Sequence, residues 1–491
     1  MTASAAVTES IGRQAGRGLR WSLLGTLLTK AGSFVMGLVL ARLLAPADFG
    51  VYAIALAATG VLMHINDVGL IAATVQWRGR LEDMAPTAAT LAAGFGIVTY
   101  GLFWLAAPAF AAAAGNRAAA PVVQLLTLII VIDGLTAVRS AALMRNFQQG
   151  KLVTANSAGL AVNATVAISL ALGGAGAFSF AWGQLAGAFV TGVLVFAFAR
   201  VPVRVGFDRA VARKLMRFGV PLAASLGVEA VVTNVQFAVI GRLTGATELG
   251  FYLLAFNVSS WAQTVLGTAI RYVSVAGYSR LSEHDEEALS AGVQRSMPLL
   301  VTVVAPIVAL TAVLAAPLVA LLYGGEWAPA GPVLRILVGL TLVRMVTGLA
   351  MDVLMGAGAT RATLWVNVGW AVVLLPTLWV ATALDGIRGA AVAQTGVGIL
   401  VVIPLAALAL HRARVALAPL GPPLVRPLLA AGLAAAAAAA VAHVAGPYPF
   451  VRLVLAGTAG MLVYVPVAVP RDQLRQWLDA LRRREPAAAL E

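Results

Sequence analysis

Cysteine is missing from the chain altogether, and charge is scarce: 11% of the 491 residues are Asp, Glu, Lys or Arg. Without thiols, disulfides, iron–sulfur clusters and thiolate metal sites are excluded. The four histidines (His64, His284, His411 and His443) are scattered, with no second ligand at metal spacing, so neither a metal nor any other cofactor is expected. No GxxxxGKS/T segment occurs, so the chain carries no ATP motor of that kind. A soluble domain has about 45–50% apolar and about 25% charged residues. Here 60% of residues are hydrophobic and the mean hydropathy is +0.91. Disordered, collagen-like, coiled-coil and soluble-enzyme classes drop out.

What is present is a series of apolar runs, each long enough to cross a bilayer as a helix. The fold class is therefore an all-α polytopic membrane protein. About fourteen spans are expected, near 21–44, 49–75, 86–114, 120–144, 152–173, 175–199, 218–241, 249–279, 297–323, 331–357, 362–384, 386–410, 427–446 and 450–470. The thirteenth is the weakest, because Ala434 to Ala440 is an alanine run. The first follows Arg13, Arg17 and Arg20 and is too long for a signal-peptide core, so it reads as a retained span.

The formal net charge of +14 fits loop arginines better than nucleic-acid binding. With Met1 cytoplasmic, inner segments hold 24 of the 34 Lys and Arg, and outer segments hold five: Arg42, Arg117, Arg242, Arg388 and Arg452. The bias alternates without a break, so both termini are expected in the cytoplasm. Leu474, Trp477, Leu478 and Leu481, flanked by arginines, predict an amphipathic tail lying on the inner leaflet, and the basic stretch Arg200 to Arg217 has similar character. No soluble domain is inserted between spans.

An internal repeat organises the chain. LVLARLLAPADFGVYAIA (38–55) aligns without a gap on AVIGRLTGATELGFYLLA (238–255), with Val39/Val239, Arg42/Arg242, Leu43/Leu243, Gly50/Gly250, Tyr52/Tyr252 and Ala55/Ala255 identical. Six spans separate the copies, an even number, so they share an orientation, and a cleft between halves is expected. The expected organisation is a cytoplasmic amphipathic N-terminus (1–20), an N-lobe (21–200) and a basic linker (201–217). A C-lobe (218–410), two further spans (427–470) and the tail (471–491) follow.

The segments ARLLAPADFGVYAIA and DVGLIAATVQ, with FGVPL, GRLTGATELGFYLLAFNV and YGGEWAPAGPVLRIL in the second half, resemble the oligosaccharide flippases of the Wzx type. Their superfamily also holds the MATE multidrug exporters and the lipid II flippase. The resemblance covers roughly residues 15–410. It implies movement of a polyprenyl-diphosphate-linked oligosaccharide across the bacterial cytoplasmic membrane, alongside polymerase or glycosyltransferase partners.

Charges within hydrocarbon each cost at least about 2.5–3.5 kcal/mol at mid-helix, so they are the candidate functional set. Lys30, Arg271 and Arg344 are candidate diphosphate ligands; Asp67, Glu229, Asp133 and Asp352 are candidate gating or coupling groups, for H⁺ or Na⁺. The 200-residue shift places Lys30 opposite the neighbourhood of Glu229, and Asp67 one turn before Arg271. If those helices line the cleft, as the resemblance suggests, the pairs Lys30–Glu229 and Asp67–Arg271 face each other across it. Fixed structural ion pairs are the competing reading. Arg344 and Asp352 form a weaker candidate pair on one helix, and for Asp133 a buried protonated acid bonded to a backbone carbonyl competes with a proton relay. Arg139, Arg271 and Arg335 lie toward helix ends, positions from which arginine reaches headgroups. Trp261, Trp327 and Trp365 are candidates for stacking on sugars, but most tryptophans fit an interfacial belt. An ion-coupled drug exporter of the same fold, a membrane-embedded polymerase or glycosyltransferase, and a non-transporting scaffold remain the alternatives.

Overall fold

A computed structural model describes residues 25–67, 80–199, 206–261, 286–356, 359–417 and 420–468, with the isolated positions 21, 71, 74, 77, 201 and 263. The expected amphipathic N-terminus and tail and most of the expected eighth span lie outside the described residues. Everything described is helix or short connection. In chain order the helices are α1 (Gly25–Leu43), α2 (Pro46–Asp67), α3 (Leu81–Ala113), α4 (Ala120–Thr127), α5 (Ile129–Arg145), α6 (Gln149–Leu172) and α7 (Phe178–Phe198). Then come α8 (Arg209–Thr244), α9 (246–261), α10 (Glu286–Tyr323), α11 (Ala330–Gly356), α12 (Thr360–Val397), α13 (Ile403–Arg412), α14 (Gly421–Val444) and α15 (Pro449–Ala468). Among the described residues, eleven stretches are long and apolar enough to cross a membrane.

Helix starts follow local chemistry. Proline occupies a first-turn position in α2 (Pro46), α4 (Pro121), α13 (Pro404), α14 (Pro422) and α15 (Pro449), where its fixed φ suits the helix and its missing N–H is not needed. Asp208 caps α8, its Oδ1 accepting from the amides of Ala210 at 2.7 Å and Val211 at 3.2 Å. From that cap α8 runs 36 residues, about 54 Å, against a hydrocarbon thickness of about 30 Å. Residues 209–217 are therefore its first turns: Leu215 packs with Met84 and Ala88 of α3, while Lys214 lies 4.3 Å from the Trp77 ring centroid.

Prolines inside helices do not break them here. Pro108 lies within α3, and Pro298, Pro306 and Pro317 lie within α10. The sharp break in α12 falls nine residues past Pro376, at Asp385 (φ −138°, ψ 30°) and Gly386 (φ 54°, ψ −139°), a conformation that suits a residue without a Cβ. A π-helical turn at Gly398–Val402 then joins α12 to α13. The expected eleventh and twelfth spans are the two sides of this broken stretch, Ala362–Arg412.

Contacts divide the chain into two units: residues 1–254 with 371–393, and residues 255–370 with 394–491. In the first, α6 and α7 meet along small residues. Ala155, Gly159, Asn163, Ala167 and Ala171 repeat every four residues on α6, and Gly183, Gly187 and Thr191 do so on α7. A Cβ on Gly187 would stand 2.6 Å from the Gly159 carbonyl oxygen, so the backbones approach as closely as helices in lipid require when no hydrophobic force drives them together. In the second unit, the alanine run of α14 has a packing role. Pro427, Ala430, Ala431, Ala434 and Ala438 are buried, and a Cβ on Gly460 of α15 would lie 3.1 Å from the Ala434 carbonyl oxygen. Trp327, a candidate for sugar stacking, is 1% exposed in the core of this unit, 6.4 Å from the ring of Tyr323.

Candidate functional site

Polar groups set into the spanning helices define the candidate site, and each unit carries its own set. In the first unit, Asn66 is the last residue but one of α2 and is 3% exposed. Its Nδ2 donates to the Ile130 carbonyl and to Oδ2 of Asp133 on α5, both at 3.4 Å. Gly96 of α3 closes the place, for a Cβ there would lie 3.2 Å from Asn66 Oδ1. That Oδ1 has no hydrogen-bond partner among the described residues. The Asp133 carboxyl group thus meets an amide where three helices pack. Spacing along one helix did not reveal the partner, since Asn66 comes from a different element 67 residues earlier.

The remaining candidates are distributed as follows. Lys30 is the sixth residue of α1, in its second turn, with an exposed side chain. Asp67 ends α2 and Glu229 lies within α8; for both only the backbone is described. Arg271 lies outside the described residues, so neither proposed cross-repeat pair is seen. In the second unit the guanidinium carbon of Arg344 sits 5.0 Å from the Phe256 ring centroid. Asp352, eight residues on and about 12 Å along the same helix, is 2% exposed. Nearby on α11, Thr341 Oγ1 donates to the Ser259 carbonyl at 2.7 Å.

One expected placement is corrected, and two further groups were not foreseen. Arg139 does not reach outward: it is 4% exposed, its guanidinium 3.9 Å from the Phe196 ring centroid with one Nη donating to the Val201 carbonyl at 3.5 Å. Gln184 of α7 donates to the Tyr52 hydroxyl, and Tyr52 stacks on Phe180 at 4.1 Å with an 8° interplanar angle. Gln394 of α12 is 2% exposed, and neither atom of its amide has a hydrogen-bond partner among the described residues. A second repeat signal links the two glutamines. Gly176 and Gly386, 210 residues apart and both at φ 54°, each precede a glutamine by eight positions.

The repeat at 38–55 and 238–255 becomes a physical seam within the first unit. A Cβ on Gly50 would overlap the Ala246 carbonyl oxygen, and one on Gly250 would overlap that of Pro46. Ala246 and Pro46 are themselves 200 residues apart, so the contact is reciprocal, as a two-fold relation demands. Gly115, at φ 87°, adds the α3–α4 connection to the seam: its Cβ position lies 2.7 Å from the Gly241 carbonyl oxygen.

Many apolar helices, ionisable groups held inside them and two repeat copies in reciprocal contact define a multi-pass membrane protein of transporter architecture. The chain belongs to the polysaccharide biosynthesis protein family, which matches residues 39–332. It is 27% identical to the succinoglycan biosynthesis transport protein ExoT of Rhizobium meliloti (strain 1021) over 491 residues, 96% of this chain and 97% of that protein. It is 23% identical to the lipopolysaccharide biosynthesis protein WzxC of Escherichia coli (strain K12), over 76% of each chain. Among solved structures, the lipid II flippase MurJ in an inward closed conformation matches with a TM-score of 0.74 over 94% of this chain and 99% of that one, at 11% identity. An inward-facing MATE multidrug transporter of the MOP superfamily matches with a TM-score of 0.55 over 80% and 94%, at 16% identity. The fold is thus that of the superfamily the sequence segments pointed to.

Proposed function

We propose that this protein is a flippase, moving a polyprenyl-diphosphate-linked oligosaccharide across the bacterial cytoplasmic membrane by alternating access, in the synthesis of an exported or cell-surface polysaccharide. The observation that carries the reading is membership of the polysaccharide biosynthesis family over residues 39–332, in a chain whose relatives include a succinoglycan transport protein. The protein is a transporter and not an enzyme on this reading. The alternation of loop charge supports a cytoplasmic position for both termini.

In this reading Lys30, Arg271 and Arg344 supply positive charge to the diphosphate, and Asp67, Glu229, Asp133 and Asp352 are gating or ion-coupling groups for H⁺ or Na⁺. Intramembrane ionisable groups are costly, and a transport pathway gives that cost a purpose. Partner polymerases or glycosyltransferases would supply and consume the lipid-linked sugar.

Reconstitution in sealed vesicles tests this. Wild type should move a polyprenyl-diphosphate oligosaccharide between leaflets, and the double variant Lys30→Ala with Arg271→Ala should lose that movement while still folding. Equal transport by both would demote the two cations to structural ion pairs. Absence of transport by wild type under either ion gradient would favour the drug-exporter reading, which the fold shared with MATE transporters keeps in play.

A further inference from the structure

We propose that the outer face of the α14–α15 hairpin is a binding site for an anionic glycerophospholipid, separate from any transport pathway. The inner face of α14 is buried through its proline and alanine stripe, so the opposite face looks away from the protein. There Val425, Leu429 and Leu433, each more than half exposed, combine with Pro466 and Val467 of α15 to line an open groove of about 660 Å³. Its walls are aliphatic from end to end with one exception, Arg426. The Arg426 Nε donates to the Val467 carbonyl at 2.7 Å, which fixes the guanidinium at the head of the groove.

Several arginines gather around that end. Ala416, four residues before Leu420 and α14, is tied to the start of α10, its amide donating to Ser290 Oγ at 3.1 Å and its carbonyl accepting from Gln294 Nε2 at 3.1 Å. This brings exposed Arg295, Arg412 and Arg414 to the same end of the unit as Arg426. Positive charge at one end and a stripe of aliphatic side chains running into the hydrocarbon match an amphiphile with a phosphodiester head and acyl tails. A planar guanidinium suits phosphate oxygens through paired N–H donors. The anionic leaflet offers such molecules at high local concentration, and a zwitterionic lipid fits the groove but not its charge.

The absence of native cysteine provides the measurement. The full chain with Leu429→Cys, labelled with an environment-sensitive fluorophore, is reconstituted in vesicles in which either phosphatidylglycerol or phosphatidylcholine carries brominated acyl chains. Quenching should favour phosphatidylglycerol by roughly fivefold, the scale set by one surface arginine. Arg426→Gln should abolish that preference and Arg426→Lys should retain much of it. Val425→Trp, which fills the groove and leaves Arg426 in place, should also reduce it, so the proposal stays testable if Arg426→Gln fails to fold. Equal quenching by both lipids in the parent, or a preference that survives both Arg426→Gln and Val425→Trp, overturns the assignment. So does relief of quenching by a small mole fraction of polyprenyl phosphate, which would give the groove to the isoprenoid tail.

Discussion

Gly50 and Gly250, 200 residues apart in sequence, meet backbone to backbone: a Cβ on Gly250 would lie 3.2 Å from the Gly50 amide nitrogen and inside the Pro46 carbonyl oxygen. A repeat recognised as a string of identities is thus a place where its two copies touch. No side chain fits between them.

Alanine at either glycine should force the seam apart, at about 1–3 kcal/mol by the cost of overpacking. Gly94 and Gly101 of α3 serve as controls, since nothing stands within 4 Å of their Cβ positions. Alanine there should be neutral or stabilise by about 0.5–1 kcal/mol. Thermal unfolding of the four single variants in one detergent separates the two classes. Equal melting shifts for all four would remove the seam from the account.

Asn66→Leu removes the amide that faces Asp133 and should cost about 0.6–1.7 kcal/mol, the range measured for hydrogen bonds between membrane helices. Asp133→Asn preserves shape and should leave unfolding within about 1 kcal/mol of wild type. If Asp133 couples transport to an ion, the Asn variant still moves substrate but no longer responds to a proton or sodium gradient. Vesicle transport with and without each gradient reads this directly, and an unchanged gradient response assigns the pair to structure alone.

Arg139 owes its place to the Phe196 ring and the Val201 carbonyl. Phe196→Leu should lose the cation–π contact, about 0.5–2 kcal/mol, and Phe196→Tyr should lose little. Arg139→Leu isolates the same contact from the other side. A double-variant cycle with a coupling energy near zero would show that the guanidinium is held by its surroundings and not by the ring.

Asp48 ties two connections together, its Oδ2 accepting from the Ala45 amide at 3.2 Å and its Oδ1 from the Ala177 amide at 3.1 Å. Asp48→Ala should destabilise by about 1–2 kcal/mol, in the range of lost capping bonds, and Asp48→Asn by less because one acceptor survives. Chemical unfolding of both variants checks the order.

Several features were open to reading from residues alone because their cause is local or compositional. Apolar runs announce spans, since lipid obliges each segment to satisfy its own backbone hydrogen bonds. The 38–55 and 238–255 identities announce the duplication. The family membership was likewise legible in segments such as ARLLAPADFGVYAIA and GRLTGATELGFYLLAFNV.

Other features depended on which helices become neighbours. Asn66 is an unremarked asparagine until α5 brings Asp133 to it, and Arg139 sits near a helix end until Phe196 and Val201 enclose it. Trp327 has the ring of a sugar-stacking residue and the position of a core one. The break in α12 passes over Pro376 and falls at Asp385 and Gly386, between the expected eleventh and twelfth spans. By itself the sequence determined the class, the repeat and the family, all of which rest on solvent preference and chain periodicity. Tertiary structure alone decided the partner of each buried polar group, because partners come from segments tens to hundreds of residues apart and only packing chooses among them.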